Sequence, residues 1–310
     1  MDMMKKLTAP LLADTELLHL VAQALSTSDV PAISAYDLGK LVYLRGTLNS
    51  NKVPKRTFEA TINALTSIRL LEPINSSTAF ILFGHRLVTP SEIYCCIDPF
   101  AYISHLSAME HHGLTDRFPK ILYITRPLAT EWRKQADLRM QKDLGDDFEH
   151  YKSSGMPRLT RPNLDRIKDT TIHIQERSQF GAFRIVSGSA LKVATIGRVF
   201  LDMLREPKLC GGIQHVIDIF RNEAKRNFRL ILDEIERHGQ PIDKVRAGYV
   251  LTEVCGLEHP LITQWQAFAQ RGGSRKLNPD AEFSANFSET WKLSINVPSL
   301  TTNSSAYDDY

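Results

Sequence analysis

Apolar residues near the start of the chain recur with helical spacing. The stripe in "DTELLHLVAQAL" contains Leu17, Leu18, Val21 and Leu25. Asp14 or Thr15 precedes this stripe as a candidate N-cap. A second short helix is predicted from Ser34, in "SAYDLGKLVYL". The two patterns indicate the beginning of a compact helical unit.

A third helix and a hairpin complete this unit. In "KRTFEATINALTSIRLL", Phe58, Ile62 and Leu65 recur at i, i+4 and i+7, which leaves Arg56 and Asn63 on the outward face. The run "LLEPINSSTAFILF" follows as two apolar arms around the turn-forming "NSS". The order helix, helix, helix, hairpin predicts a winged helix-turn-helix domain over residues 1–90.

Strands and helices alternate after residue 90. The strand candidates are "ILYIT" (121–125), "TIHIQ" (171–175), "FRIV" (183–186), "LKVAT" (191–195) and, near the end, "ETWKLSINVP" (289–298). The polar stretch from Arg126 to Arg166 predicts a long connection, and the chain is predicted to be almost wholly helical from Ile196. We therefore expect an α+β protein whose mixed α/β C-terminal domain (91–298) has a helical second half, followed by a disordered tail (299–310).

Composition limits the class of protein without defining its function. A chain of 310 residues exceeds the usual single-domain size, which supports two domains. Its 38 Lys and Arg against 35 Asp and Glu give a net charge of only +3, so total charge requires neither a nucleic acid nor a membrane as partner. The 4 cysteines show no CxxC spacing, and no apolar run reaches the roughly 18 residues of a membrane span. These features favour a cytoplasmic protein.

Positive charge is concentrated in the turn, third helix and hairpin of the first domain. Residues 40–90 contain seven Lys and Arg but two acids. Lys52, Lys55 and Arg56 lie around the start of the third helix, where free N–H groups and the helix dipole favour a phosphate. Thr57 and Asn63 can position the helix or reach base edges. These five residues are the predicted DNA-binding face, with a merely solvated helix face as the alternative.

The segment from Tyr102 to Pro119 contains three histidines and two acids and is the candidate for catalysis or metal binding. If "YISHLSAMEHHG" is one helix closed by Gly113, His105 and His112 lie two turns apart, on the order of 10 Å. That separation excludes a shared metal ion, and helical chelation uses an i, i+4 spacing that the histidines lack. No Gly-x-Ser-x-Gly elbow is present. We therefore predict a scaffold with no catalytic residue, metal or cofactor.

Three further segments occur in a characteristic order: "YISHLSAMEHHGLTDRFPKILYITRP" (102–127), "LKVATIGRVFLDMLREPKLCGGIQHVIDIF" (191–220) and "WKLSINVP" (291–298). Together they resemble the AbiEi family of abortive-infection antitoxins. The matching core residues are Ser107, Ala108, His112, Gly113, Leu114, Thr115, Leu201, Asp202, Pro207, Gly211 and Gly212. Where that family commonly has Glu-Arg-Thr, this chain has Gly197, Arg198 and Val199. Arg198 and Asp202, at i and i+4, predict a helix-surface ion pair.

The resemblance implies a transcriptional regulator that is not an enzyme. Such a protein binds inverted repeats of double-stranded DNA in its own promoter through the winged helix and represses its operon. Its C-terminal domain opposes a co-encoded nucleotidyltransferase toxin without forming a stable complex, in phage defence or mobile-element maintenance. The alternatives are a nucleic-acid-processing enzyme that uses His105, Glu110 and His112, and a winged helix that docks a protein partner.

Overall fold

The N-terminal unit is built from three helices and a small antiparallel sheet. The computed structural model describes residues 14–47, 53–74, 78–84, 88–178, 181–270 and 275–301. The first elements are α1 (Thr15–Ser26), β1 (Ala32–Ser34), α2 (Ala35–Thr47), α3 (Lys55–Ser67), β2 (Leu71–Ile74) and β3 (Ala79–Leu82). The sheet has the order β1-β3-β2, and both pairs are antiparallel.

The predicted helices and hairpin of this unit are confirmed. Asp14 caps α1, because its Oδ1 accepts hydrogen bonds from the N–H groups of Glu16 and Leu17. The three-residue strand β1 was not predicted, since so short a segment shows no alternation of apolar and polar residues.

A six-stranded sheet with parallel and antiparallel pairs forms the centre of the second unit. The elements are α4 (Pro90–Ile97), β4 (Tyr102–Ile103), α5 (His105–His111), β5 (Ile121–Pro127), α6 (Ala129–Leu144), α7 (Phe148–Ser153), β6 (Arg166–Ile167), β7 (Thr170–Arg177), β8 (Phe183–Ile185) and β9 (Lys192–Ala194). The strand order is β6-β7-β5-β4-β9-β8, with β5–β7 and β4–β9 parallel. All four strands predicted between residues 121 and 195 are confirmed, and the fold is mixed α/β.

The remainder is mainly helical, as predicted. It comprises α8 (Ile196–Arg205), α9 (Ile213–Glu223), α10 (Phe228–His238), α11 (Pro241–Tyr249), α12 (Pro260–Trp265), β10 (Phe287–Ser288), β11 (Leu293–Ser294) and α13 (Pro298–Thr301). The long final strand predicted over 289–298 is wrong, because strand pairing in this range is confined to the two residues of β11, which pair with β10 and, at Ser294, with Lys276. The tail predicted from residue 299 starts inside α13, and residues 302–310 lie outside the described part. No helix of the described ranges is long and apolar enough to cross a membrane.

The polar connection predicted from Arg126 to Arg166 is wrong, because most of it is helical. α6 buries a residue at every fourth position: Trp132, Ala136, Met140 and Leu144. This narrow stripe joins Tyr36 and Tyr43 of α2 in the N-terminal hydrophobic core. The core of the N-terminal unit therefore includes α6 and α7, although they follow residue 90 in sequence.

The ion pair predicted on the surface of α8 exists, but it is buried. Arg198 Nε donates to Asp202 Oδ1 at 2.9 Å, and the side chains are 3% and 1% exposed. α10 covers this helix so closely that a Cβ at position 197 would lie 2.4 Å from the carbonyl oxygen of Leu230. Gly197 is therefore required by helix packing, and an acidic side chain cannot replace it in this arrangement.

Candidate nucleic-acid interface

α3 packs into the N-terminal core by one face and leaves the other in solvent. Phe58, Thr61 and Leu65 are buried. Lys55, Arg56, Glu59 and Asn63 are exposed, and Thr57 is half-buried. Four of the five predicted DNA-binding residues therefore lie on α3 with at least part of the side chain in solvent, whereas Lys52 lies outside the described residues.

The first turn of α3 has no side-chain cap. Pro54 precedes the helix and offers no acceptor, and the first turn contains no acidic residue. The partial positive charge of the helix start is thus not offset by a carboxylate in that turn. Lys55 and Arg56 add two cationic side chains at the same place. This arrangement suits a phosphate group of a nucleic acid backbone.

Glu59 opposes this charge. Its Oε1 lies 3.4 Å from Lys55 Nζ, in a pair whose side chains are 56% and 63% exposed. An exposed pair at i, i+4 contributes about 0.3–0.5 kcal/mol, so a phosphate can compete for the lysine. The sequence count included Glu59, but it did not show that this carboxylate lies on the same exposed face as the predicted DNA-binding residues.

Lys40 belongs to a different surface, although the sequence grouped it with the basic region. Its Nζ lies 2.8 Å from Asp143 Oδ2 and 3.5 Å from Asp37 Oδ1. Tyr36 donates a further hydrogen bond to Asp143, and Arg139 of α6 donates one to Asp37 at 2.6 Å. Burial alone would raise the pKa of Asp143, but the hydrogen bond and charge of Lys40 lower it. These contacts hold α2 against α6 and use the charge of Lys40 within the protein.

α7 also contacts α2. Tyr43 Oη lies 2.6 Å from His150 Nδ1. A Cβ at Gly39 would lie 2.8 Å from Tyr151 Oη, so the glycine permits this close approach. The α6–α7 segment therefore packs on α2, which contributes to the same core as α3.

The helix predicted from Tyr102 begins only at His105, because Tyr102 and Ile103 form β4. His105 is fully buried and has φ of +50°. Its Nε2 donates to Glu206 Oε2 at 2.8 Å, and its Nδ1 lies 2.8 Å from Ser104 Oγ. The Ser104 hydroxyl is itself fully buried, so this hydrogen-bonded chain does not present a nucleophile to solvent.

The other residues of the enzyme alternative lie elsewhere. His112 follows α5, and its Nε2 lies 2.7 Å from the carbonyl oxygen of Ala194, while Glu110 is exposed. Burial lowers the pKa of His112. Gly113 ends the helix with φ of +64°, as the sequence predicted. His105 and His112 thus have separate partners, and no group of three His, Cys, Asp or Glu in the described part of the chain could hold a metal ion.

Comparison with known proteins assigns no family to this chain. No family model matches it, and no curated protein matches it. Among solved structures, it is similar to the RV2827C protein from Mycobacterium tuberculosis, with 13% identity and a TM-score of 0.48 over 92% of this chain and 94% of that chain. Similarity at this level does not support a statement about function.

Proposed function

We propose that this protein is a DNA-binding antitoxin and transcriptional autorepressor whose N-terminal unit acts as a winged helix-turn-helix domain. The element order α1-β1-α2-α3-β2-β3 and the sheet order β1-β3-β2 support the proposal. The observation that carries it is the exposed face of α3, which combines an uncapped start with Lys55, Arg56 and Asn63.

The exposed residues of α3 suit different parts of a DNA site. Lys55 and Arg56 neutralise phosphates next to the helix start, together with Lys52 of the preceding segment. Asn63 lies two helical turns further, about 12 Å along the axis, where its amide can form two hydrogen bonds with adenine. Thr57 positions the first turn against the backbone. On an inverted repeat, two copies of the chain bind half-sites separated by about one helical turn or a multiple of it.

The antitoxin role rests on the resemblance of the three C-terminal segments to AbiEi proteins. In this proposal the C-terminal domain opposes a co-encoded nucleotidyltransferase toxin in the cytoplasm without forming a stable complex. The test is a growth assay with the neighbouring nucleotidyltransferase gene expressed from an independent promoter. Growth should be restored by the wild-type chain, and equally by Lys55→Ala/Arg56→Ala. The absence of such a gene, or toxicity that the chain does not relieve, refutes this role.

The DNA-binding role is tested by anisotropy titrations on the DNA upstream of the protein's own gene. Two lost phosphate contacts should flatten the slope of log K against log[salt] by about 2 units in Lys55→Ala/Arg56→Ala. If the wild type and the double variant bind equally at 1 M salt, this difference in slope makes the variant bind about 30-fold more weakly at 0.15 M.

A matched control removes the same charge from another part of the chain. Lys225 lies in the turn between α9 and α10, Arg229 lies on α10, and both are exposed, so Lys225→Ala/Arg229→Ala should keep both the slope and the affinity. Asn63→Ala should weaken binding to the operator by about 1–3 kcal/mol but leave binding to unrelated DNA unchanged. An unchanged salt slope in the α3 double variant excludes this face as the DNA contact.

A further inference from the structure

A cavity of about 580 Å³ lies between α10 and the edge of the central sheet formed by β8 and β9. Small-molecule sites typically measure roughly 300–1,000 Å³. The helical wall includes residues with the spacing i, i+3, i+4 and i+7: Leu230, Asp233, Glu234 and Arg237. The opposite wall has an apolar part formed by Val186, Val193, Ala194 and Ile196, with His111, His112, Thr195 and Arg184 beside it. The cavity therefore combines an apolar surface with charged and polar groups from both walls.

Glu234 is the buried polar group of this cavity. Its side chain is 9% exposed, and its Oε1 has no hydrogen-bond partner among the described residues. The closest cation is Arg198, whose Nη1 lies 4.0 Å away and whose Nε is already bound to Asp202. Burial raises the pKa of Glu234, which the positive charges of His238 and Arg198 partly oppose. Oε1 is closed off from solvent beside Arg198, but Oε2 is not, and Oε2 accepts no hydrogen bond within the described residues. A ligand in the cavity that donates a hydrogen bond to Oε2 would therefore be stabilised.

Two arginines stand at the exposed part of the cavity. Arg184 comes from β8 and Arg237 from α10, so each wall contributes one guanidinium group. Both side chains are exposed, and neither has an ion-pair partner within the described ranges. Guanidinium groups bind phosphate through paired hydrogen bonds. The site therefore favours a ligand that has an anionic group near the entrance and a hydrogen-bond donor at the buried end.

We propose that this cavity binds a nucleoside monophosphate whose base carries an exocyclic amino group. The phosphate contacts Arg184 and Arg237, the base lies on the apolar wall, and the amino group donates to Glu234. Adenine, guanine and cytosine carry such an amino group, whereas uracil does not. A free amino acid combines similar charges, but it would leave most of a 580 Å³ cavity unfilled. This ligand site is separate from the DNA-binding face and does not depend on it.

Calorimetric titration of the full chain with AMP, GMP, CMP and UMP tests the proposal. AMP, GMP or CMP should bind at least tenfold more tightly than UMP, because UMP offers only its ring N3–H, which lies between two carbonyl oxygens that the Glu234 carboxylate repels. Adenosine and inorganic phosphate should each bind at least tenfold more weakly than AMP, since each lacks half of the recognised groups. No binding of any mononucleotide at millimolar concentration, or equal binding of AMP and UMP, overturns the proposal.

Three variants test whether the nucleotide binds in this cavity. Arg184→Ala/Arg237→Ala should lose at least tenfold in AMP affinity, whereas Arg229→Ala, which removes an exposed cation of α10 outside the cavity, should not. Glu234→Gln should bring AMP and UMP affinities close together, because an amide both accepts and donates hydrogen bonds. If Glu234→Gln fails to fold in a thermal scan, the exposed arginine pair still decides. Equal losses in the arginine pair and in Arg229→Ala place the nucleotide elsewhere and refute the assignment.

Discussion

Asp202→Asn should strongly destabilise the protein, because it leaves the guanidinium group of Arg198 buried without its counter-charge. The two side chains are 3% and 1% exposed, and their closest atoms are 2.9 Å apart. The other acid near Arg198 is Glu234, at 4.0 Å, and burial raises the pKa of that residue. Glu234 is therefore a poor substitute for the lost carboxylate.

The expected cost follows from this burial. Removing one member of a buried ion pair typically costs about 3–5 kcal/mol. Asparagine keeps an oxygen that can accept from Arg198 Nε, so the loss should lie at the lower end, about 3 kcal/mol. For a domain of about 200 residues, each kcal/mol lowers Tm by about 2–4 °C, which gives a decrease of about 6–12 °C.

The measurement is thermal and urea unfolding of three variants: Asp202→Asn, Arg198→Met and Arg198→Met/Asp202→Leu. Each single variant should be much less stable than the wild type, because each leaves one buried charge or its partner unpaired. The apolar double variant should recover most of the loss, since it removes both desolvation costs together. A cost below about 1 kcal/mol for Asp202→Asn, or a double variant as unstable as the sum of the single ones, refutes the reasoning.

Three further substitutions test individual contacts. Glu59→Gln should strengthen DNA binding about twofold in the anisotropy assay, because it releases Lys55 from an exposed pair worth about 0.3–0.5 kcal/mol. Trp132→Phe should lower the free energy of unfolding in urea by about 1.5–3 kcal/mol, because Asp98 loses the indole donor at 2.9 Å. Gly113→Ala should cost about 1–2 kcal/mol through its φ of +64°, as no other atom obstructs the new methyl group. For Trp132→Phe and Gly113→Ala, a change in the free energy of unfolding below about 0.5 kcal/mol contradicts the stated reason. For Glu59→Gln, unchanged or weaker DNA binding contradicts it.

The elements with a strong local pattern were predictable from sequence. The strands β5 and β7 and the amphipathic α3 each present a clear apolar pattern, and the structure contains all three. α6 was missed because its buried positions are four residues apart in a helix that is otherwise polar. Trp132 and Met140 are buried in the same core as Tyr36 and Tyr43 of α2, and only the tertiary fold provides that core.

The candidate sites were also predictable only where the sequence pattern is local. The cations of α3 and their outward direction follow from helical spacing, so the exposed positions of Lys55, Arg56 and Asn63 were predictable. The closer partner of Lys40 was not, because Asp143 lies 103 residues away along the chain. The proposed nucleotide cavity was equally hidden, since Glu234 becomes a buried acid only when α10 packs against α8.

The packing of α6 also determines how the two proposed sites can be separated by experiment. α3 belongs to the N-terminal core, whereas α10 belongs to the core of the central sheet, and Trp132 connects the two through its hydrogen bond to Asp98. Lys55 and Arg56 are exposed on the helix α3 that packs on the N-terminal core. Arg184 and Arg237 are exposed on β8 and α10, which belong to the second unit. Substituting either pair therefore leaves both cores intact. A variant that loses DNA affinity but keeps nucleotide affinity, or the reverse, reports on one site alone.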